Sequence, residues 1–340
     1  MEEYASPHFS AWAKQVCVER SIIPEGELLA FSDDASFRRY YRFVRSSTGL
    51  VFVSSPPDKE DNESFIKISK AFQEEGLLIP IVEAYDLDMG YLAVTDLGDR
   101  IFLDELRNDS SKVKRLIRLA VKKIFRIQEV SCELPPYSQK KIMEEMRLFD
   151  KWFLKQLLGI EVSRKLENLL SEMYRFLAQR AVEQPQVFVH RDYHSRNLML
   201  NENFSLAMID FQDAVLGPVT YDLVSLLRDC YFEFDSAHIY EEVEFFRKAL
   251  LDREIIGEDV PFSEWFDLMG VQRHLKCAGI FSRLNLRDNK PKYLRNIPDV
   301  IRYLQEVSFK YRELNSFHDF LSSEVIPQTE KFMLDRASRK

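Results

Sequence analysis

Short apolar runs separated by polar turns occupy most of the first hundred residues. The runs are rich in β-branched and aromatic residues, and Asp-Asp-Ala-Ser and Ser-Ser-Thr-Gly sequences break them, as is typical of strands joined by turns. One stretch differs, because Phe65, Ile68 and Phe72 recur at helical spacing within residues 62–75. The expected strands cover residues 27–31, 38–44, 50–54, 79–85 and 91–95. The pattern therefore predicts an antiparallel sheet with one inserted helix.

Helical spacing dominates after residue 102, with an interruption at residues 132–137 where two consecutive prolines stand. Helices are expected over residues 9–19, 102–180 outside that interruption, 221–231, 240–252, 262–284 and 300–309, and the last fifteen residues are expected to fray. The predicted fold class is α+β. Residues 1–95 would form a small, antiparallel-sheet N-terminal lobe that binds nucleotide, and residues 96–340 a larger, mostly helical C-terminal lobe that carries the catalytic and substrate residues.

The segment from 187 to 210 contains the residues with the clearest chemistry. An apolar strand leads into His190-Arg191-Asp192, Asn197 follows five residues after Asp192, and Asp210 ends the next apolar run. Phosphoryl transfer needs a carboxylate to accept the hydroxyl proton and further oxygen ligands to hold Mg²⁺ against the nucleotide phosphates. We expect Asp192 to be the catalytic residue and Asn197 and Asp210 to be the metal ligands. The segment predicts an ATP-dependent small-molecule kinase.

These residues resemble the protein-kinase catalytic loop H-R-D-x-x-x-x-N, and more closely its aminoglycoside and choline phosphotransferase relatives. In those relatives a second histidine commonly follows the aspartate by two residues, as His194 does here. The segment 217–223, Gly-Pro-Val-Thr-Tyr-Asp-Leu, is similar to a G-D-P-x-x-D-L segment of that superfamily. The resemblance implies a protein-kinase-like, two-lobed fold in which Asp222 is a structural acid that braces the catalytic loop. His190 is expected to be a packed structural residue as well.

A narrower resemblance involves the segment 34–42, Asp-Ala-Ser-Phe-Arg-Arg-Tyr-Tyr-Arg, which looks like the glycine-poor phosphate loop of bacterial cell-wall amino-sugar kinases. Further segments similar to that family are residues 56–61, 95–99 and 272–276, so the resemblance covers most of the chain. It implies phosphorylation of the anomeric hydroxyl of N-acetylmuramate and N-acetylglucosamine, with ATP and Mg²⁺, in peptidoglycan recycling.

The nucleotide site departs from the protein-kinase pattern. The first hundred residues contain no G-x-G-x-x-G sequence, and serines stand in the strand 50–55 where a phosphate-binding lysine would be expected. Four cations are candidates for its role, since guanidinium and ammonium groups bind phosphate. They are Arg38, Arg39, Arg42 and Lys59. We expect Asp96 and Leu97, in the segment that would join the lobes, to pair with the adenine edge through their backbone.

The acceptor site is less defined by the sequence. His194 and Arg196 are candidates for sugar contacts, and Arg273 or Arg283 is expected to bind the lactyl carboxylate if N-acetylmuramate is the acceptor. A row of polar residues such as 272–276 is also typical of a solvated helix face. Asp213 is either a second metal contact or a surface acid. An aminoglycoside-like or choline-like acceptor remains an alternative.

Composition narrows the class of protein. The net charge is −8 with both signs interspersed, so we expect no nucleic-acid partner and no membrane association. The four cysteines show no C-x-x-C spacing, and the first residues lack the plan of a signal peptide, which favours a cytoplasmic protein, expected to be monomeric. A nucleotide-binding pseudokinase and an iron site built from His190, Asp192 and either His274 or His318 are the remaining alternatives.

Overall fold

The computed structural model describes residues 4–31, 37–45 and 48–338. The chain forms two compact units. The sheet unit comprises Met1–Ser110, Val130–Glu133 and Arg196–Ala214, and the helical unit comprises Ser111–Glu129, Leu134–Ser195 and Val215–Lys340. The chain therefore passes from the helical unit to the sheet unit directly after Ser195, within the predicted catalytic loop. The functional boundary expected between residues 95 and 96 stays a prediction.

The described residues form strands and helices in an order that follows the apolar pattern. The strands are β1 Leu28–Ala30, β2 Arg39–Phe43, β3 Leu50–Ser54, β4 Val82–Asp86, β5 Tyr91–Thr95, β6 Gln186–Val189, β7 Leu198–Leu200, β8 Leu206–Met208 and β9 Val215–Pro218. The α-helices are α1 Pro7–Glu19, α2 Asn62–Glu74, α3 Phe102–Asn108, α4 Val113–Gln128, α5 Gln139–Leu148, α6 Arg164–Val182, α7 Tyr221–Leu227, α8 Ser236–Asp252, α9 Phe262–Leu286, α10 Ile297–Ser308, α11 Asn315–Phe320 and α12 Ile326–Ala337. Shorter 3-10 and π-helical turns are Ser110–Lys112, Phe149–Leu157, Pro291–Asn296, Arg312–Leu314 and Leu321–Val325.

The sheet unit is built on an antiparallel sheet with the strand order β1-β2-β3-β5-β4. Phe9 of α1 packs on it between Tyr41 and Tyr91, with ring centroids 5.4 and 4.6 Å away. The predicted strands and the inserted helix α2 are confirmed, although β4 begins three residues later than expected. Pro80 accounts for the late start, because proline has no N–H to donate to a strand ladder. The α+β class, with a sheet-based N-terminal part and a mostly helical C-terminal part, is confirmed.

In the helical unit, α9 is the central element. It packs against α5, the π-helical turn Phe149–Leu157, α6, α7 and α10, and most of its residues are buried. Two glycines allow the closest approaches. A Cβ on Gly279 would lie 2.4 Å from the carbonyl carbon of Leu148, and one on Gly270 would lie 2.1 Å from the Tyr303 hydroxyl. The helix is thus fixed on all sides, and its polar side chains are held in place with it.

Two expectations about the helical part are corrected. The last fifteen residues were expected to fray, but Ile326–Ala337 forms α12, which starts with a proline in its first turn and buries Thr329. The helix expected over 221–231 ends at Leu227, and residues 228–235 are irregular. Among the described residues, none of the helices is both long and apolar enough to cross a membrane.

Gly279→Ala should lower the free energy of unfolding by about 1–3 kcal/mol, because the added methyl group can be accommodated only by moving the backbone at Leu148. Urea unfolding followed by circular dichroism measures the change. Gly257→Ala is the matched control, since a Cβ there meets no heavy atom within 4 Å. Equal stability of the two variants would show that α9 and Leu148 are not in close contact.

Candidate active site

The sheet unit contains an apolar pocket on one side of its sheet. Side chains of β2, β3 and β5 form one wall, Met199, Ile209 and Asp210 line another part, and the segment 96–98 forms an edge. Val51, Val53, Leu92 and Val94 also line it. An apolar pocket with a polar edge suits a flat heteroaromatic ring. At this edge the Asp96 N–H donates to the Gly49 carbonyl at 2.9 Å. Asp96 and Leu97, the predicted adenine contacts, lie at this edge.

Arg38 is the buried cation of this pocket. Its Nε donates to Ser55 Oγ at 3.1 Å, an Nη lies 3.6 Å from a carboxylate oxygen of Glu60, and the guanidinium lies 5.3 Å from the centre of the Phe65 ring. Ser55 Oγ in turn donates to Asn62 Oδ1 at 2.5 Å, on the first turn of α2. The serine that stands where a lysine was expected therefore holds Arg38, the residue that directly precedes β2.

The other three predicted phosphate-binding cations are placed differently. Arg42 also lines the pocket, but it is paired with Asp96 at 2.6 Å and with Asp99. Arg39 is exposed, and Lys59 is exposed and pairs with Asp58 at 3.3 Å. Neither of these two lies among the lining residues. Residues 34–36 of the predicted phosphate loop lie outside the described part of the chain.

Asn197 and Asp210 are brought together at the base of the β7–β8 hairpin. Asn197 Nδ2 donates to Asp210 Oδ2 at 3.1 Å, and Gln212 Nε2 donates to the other carboxylate oxygen at 2.9 Å. Asp210 has φ of 66°, a left-handed conformation that is costly for a residue other than glycine. The next residue, Phe211, packs between Phe65 and Phe72 of α2, with ring centroids 4.8 and 5.3 Å away, and so fixes the strained turn.

The donor set of this pair fits Mg²⁺. Carboxylate and amide oxygens are the hard ligands that Mg²⁺ prefers, and it commonly takes only one or two from the protein. Asp213, three residues after Asp210, is exposed, and its predicted role as either a second metal contact or a surface acid stays a prediction. No group of three or more His, Cys, Asp or Glu side chains in the described part of the chain could hold a metal ion. The alternative of an iron site with His190 and Asp192 is therefore not supported, and His274 instead bonds the Gly270 carbonyl at 2.8 Å.

Asp222 holds the backbone of the predicted catalytic loop in the helical unit. Its two carboxylate oxygens accept the N–H groups of His190 at 2.8 Å and Arg191 at 3.1 Å. Arg191 has φ of 73°, so these bonds stabilise a strained conformation. Burial raises the pKa of Asp222 to about 7, against the two N–H groups that lower it. Asp229, which the sequence analysis did not single out, binds the N–H groups of Ser195 and Tyr231, both at 2.9 Å.

Asp192 lines a second pocket, formed entirely by the helical unit. The lining residues are Asp192, His194, Tyr221, Cys230, Tyr231, Arg273, Lys276, Cys277, Ile280 and Phe281. Burial raises the pKa of Asp192. The larger opposing effect comes from four nearby cationic groups, Lys276, His194, Arg191 and Arg273, and the resulting pKa is about 2. The group is a carboxylate at neutral pH. It can orient a hydroxyl and accept its proton once the oxygen has begun to bond to phosphorus.

Lys276 and Arg191 are held in place by Glu145, a buried residue of α5 that sequence reasoning missed. Lys276 Nζ lies 3.3 Å from Glu145, Arg191 also forms an ion pair with it, and the Tyr137 hydroxyl donates to it. Burial raises the pKa of Glu145, yet Lys276 and Arg191 lower it below the ordinary value. No local pattern marks this glutamate, because its partners are distant in sequence.

Arg273 is buried, and no carboxylate in the described part of the chain lies within ion-pair distance of it. Its Nε donates to Ser225 Oγ at 2.9 Å, and its Nη1 contacts the sulfurs of Cys230 and Cys277. The segment 272–276 is buried, so the alternative of a solvated helix face is wrong. A buried cation is costly unless anions offset it. Asp192 and Asp229 act on Arg273 only from a longer distance, and its side chain lines a pocket that an anion can enter.

Of the four predicted acceptor contacts, the structure brings two to the Asp192 pocket. His194 and Arg273 line it, and the His194 ring packs on Tyr231 with centroids 5.1 Å apart. Arg196 belongs to the sheet unit, and Arg283 is half-buried on α9 outside the pocket lining. Tyr221, Tyr231 and Lys276 are pocket residues that were not predicted as such.

Comparison with known proteins gives consistent results for sequence and fold. The chain is 37% identical over 321 residues to an N-acetylmuramate/N-acetylglucosamine kinase of Neisseria meningitidis, covering 91% of this chain and 93% of that protein. It is 36% identical over 314 residues to a kinase of the same name from Pseudomonas aeruginosa, covering 90% of each.

Solved structures show the fold at lower identity. A gentamicin complex of an aminoglycoside phosphotransferase matches with a TM-score of 0.61 at 13% identity, over 88% of this chain and 97% of that chain. A choline kinase from Streptococcus pneumoniae matches with a TM-score of 0.58 at 12% identity, over 88% and 99%. A family model described as the phosphotransferase enzyme family matches residues 27–254. With two thirds of its length matched by that model, and relatives above 30% identity along nine-tenths of it, the chain belongs to the phosphotransferase enzyme family.

Proposed function

We propose that this protein is an ATP-dependent kinase that phosphorylates the anomeric hydroxyl of N-acetylmuramate and N-acetylglucosamine. The observation that carries the proposal is Asp192, which surrounding cations keep ionised on an H-R-D loop and which lines a pocket with aromatic and cationic side chains. The names of the relatives from Neisseria and Pseudomonas support the acceptor. Cytoplasmic location and a monomeric state stay predictions.

The nucleotide is assigned to the apolar pocket of the sheet unit. The adenine would lie against Val51 and Val94, with its edge toward the backbone of Asp96 and Leu97. Arg38 is the best candidate to replace the missing lysine, since it lines the same pocket and its geometry is fixed by Ser55 and Glu60. An arginine fork held in this way can bind two phosphate oxygens at once.

Asn197 and Asp210 would hold Mg²⁺. When bound, the ion supplies positive charge that neutralises the phosphate oxygens of the nucleotide. Asp192 and Asn197 belong to the same H-R-D-x-x-x-x-N segment, with four residues between them. Gln212 and Asn197 orient the carboxylate of Asp210 through its two oxygens.

Asp192 is proposed to orient the anomeric hydroxyl and to take its proton late in transfer. A carboxylate with a pKa of about 2 is a weak base toward an ordinary alcohol. The anomeric hydroxyl is more acidic than an ordinary alcohol, so less basicity is needed. Asp222 and His190 would serve as structural residues, Asp222 through the two N–H groups that it binds.

Arg273 is proposed to bind the lactyl carboxylate that distinguishes N-acetylmuramate from N-acetylglucosamine. No described carboxylate lies within ion-pair distance of Arg273, which supports this role, while the half-buried Tyr231 offers an aromatic face to the sugar ring. The same charges weigh against an aminoglycoside or choline acceptor, because Arg273 and Lys276 would repel a cation. The pseudokinase alternative is opposed by the set of Asp192, Asn197 and Asp210, which nucleotide binding alone does not need.

Asp192→Asn should reduce kcat by about 10²–10⁴, since it removes the proton acceptor without changing side-chain size. Phosphorus NMR with Mg-ATP and a panel of N-acetylmuramate, N-acetylglucosamine, glucosamine, choline and kanamycin measures transfer and identifies the phosphorylated position. The wild-type protein should give a sugar 1-phosphate signal.

Transfer by the wild type to choline or kanamycin alone would remove the amino-sugar assignment and keep the mechanism. Binding of ATP without transfer to any acceptor would favour a pseudokinase. Undiminished activity in Asp192→Asn would show that another group accepts the proton.

Arg38→Ala should raise the KM for ATP at least about tenfold, because a positioned bidentate contact to phosphate contributes more than about 1.4 kcal/mol. Arg39→Ala should change it less than about twofold, since the Arg39 side chain is exposed and outside the pocket. Steady-state kinetics at saturating sugar measure both. The reverse order would assign the phosphate contact to Arg39.

Arg273→Lys should lower the ratio of kcat/KM for N-acetylmuramate to that for N-acetylglucosamine by about tenfold, because lysine keeps the charge but loses the fork. The ratio within one variant cancels any general effect of the substitution on the pocket. Arg283→Lys on the same helix should leave the ratio unchanged. A shift of the ratio in Arg283→Lys instead would place the carboxylate contact there.

A further inference from the structure

Two thiols meet at one guanidinium in the Asp192 pocket. Cys230 lies in the irregular segment after α7, Cys277 lies on α9, and Arg273 Nη1 is 3.6 Å from the first sulfur and 3.5 Å from the second. Both cysteines line the pocket together with Asp192. The other two cysteines, Cys17 and Cys132, belong to the sheet unit. Neither thiol has a part in the phosphoryl transfer described above.

The surroundings make the two thiols unequal. The neighbouring Cys230 thiol, Arg273 and Lys276 lower the pKa of the Cys277 thiol, and burial opposes them. The neighbouring Cys277 and burial raise the pKa of the Cys230 thiol. The other charged groups facing the pair are Asp192 and Asp229, which disfavour the thiolates. Cys277 is also the more exposed of the two, so it is the more reactive thiol toward an oxidant.

We propose that Cys277 and Cys230 form an oxidative modification site in which a peroxide converts the two thiols into a disulfide across the Asp192 pocket. The Cys277 thiolate attacks one oxygen of hydrogen peroxide, the O–O bond breaks, and a sulfenic acid and hydroxide form. The Cys230 sulfur then attacks the sulfenic sulfur. The S–S bond forms, the S–O bond breaks, and water leaves with the Cys230 proton, so two thiols and one peroxide give one disulfide and two waters.

The disulfide changes the pocket in two ways. It removes the thiolate that lies beside Arg273, and it ties the segment 228–235 to α9. α9 is fixed on all sides, so the irregular segment with Tyr231 must move. Loss of acceptor binding follows from this displacement and rests on the proposed function, whereas disulfide formation rests only on the two thiols and Arg273.

The chemical test uses the reduced full-length protein at pH 7. It is treated with hydrogen peroxide for increasing times, quenched, alkylated and mapped by mass spectrometry. Cys277 should react roughly tenfold faster than Cys132, whose pKa is raised by burial, and a peptide joining Cys230 to Cys277 should accumulate. Oxidation of Cys277 no faster than that of Cys132, or a stable oxidised Cys277 that never joins Cys230, would overturn the proposal.

Single variants separate the two sulfurs. Cys230→Ser should leave a sulfenic acid on Cys277 that dimedone traps, and Cys277→Ser should abolish the rapid oxidation of Cys230. Cys132→Ser is the matched control and should form the disulfide at the wild-type rate. Rapid oxidation of Cys230 in Cys277→Ser would contradict the assignment of Cys277 as the attacking sulfur.

The activity test compares each protein with its own untreated sample. Oxidation should abolish transfer to N-acetylmuramate, leave ATP binding unchanged and be reversed by dithiothreitol, and the sugar should slow the oxidation. Full activity of the disulfide form would contradict the expected loss of acceptor binding. If the untreated protein transfers no phosphate, the proposed function is rejected. Peptide mapping would still show whether Cys230 and Cys277 form a disulfide.

Discussion

A carboxylate withdrawn from water stays ionised only when cations surround it, and the helical unit is organised around this requirement at Asp192. Lys276, Arg191 and Arg273 supply the positive charge, and each has to be positioned in turn. Glu145 positions the first two through ion pairs, and Ser225 orients the third. The cations are therefore fixed before any ligand arrives, which is the condition under which electrostatic stabilisation costs least at the moment of reaction.

Backbone strain is placed at the same functional segments. Arg191 and Asp210 both have left-handed conformations, one beside the proposed base and one at the proposed metal ligand. Buried neighbours hold both residues. Asp222 accepts the backbone N–H of Arg191, and the packing of Phe211 between Phe65 and Phe72 fixes the turn at Asp210. Strain of this kind persists only where surrounding contacts outweigh it, so these contacts maintain the geometry of the side chains.

The sequence predicted the parts of the fold that depend on local pattern. Strand alternation and helical spacing located the sheet, α2 and α9, and the H-R-D segment led to Asp192, Asn197 and Asp210, whose roles stay predictions. Glu145 and the Cys230–Cys277 pair were not predicted, because their meaning arises from contacts between residues dozens of positions apart. Arg38 was one candidate among four, and only burial and its bond to Ser55 distinguish it. The helix α12 was not predicted, because chain ends commonly fray and the burial of Thr329 that anchors this helix arises only in the fold.

The pocket has one rigid wall and one irregular wall. Substitutions on α9 disturb packing on every side of a buried helix, and those at Lys276 also disturb Glu145. The segment 228–235, in contrast, carries Cys230 and Tyr231 outside any helix or strand, and its exposed residues are Glu233 and Asp235. Changes of length or side chain are tolerated best in such a segment. Relatives of this protein would therefore acquire new acceptor preferences most readily through substitutions in the segment 228–235. The charged residues of α9 would stay unchanged and retain the phosphoryl-transfer chemistry.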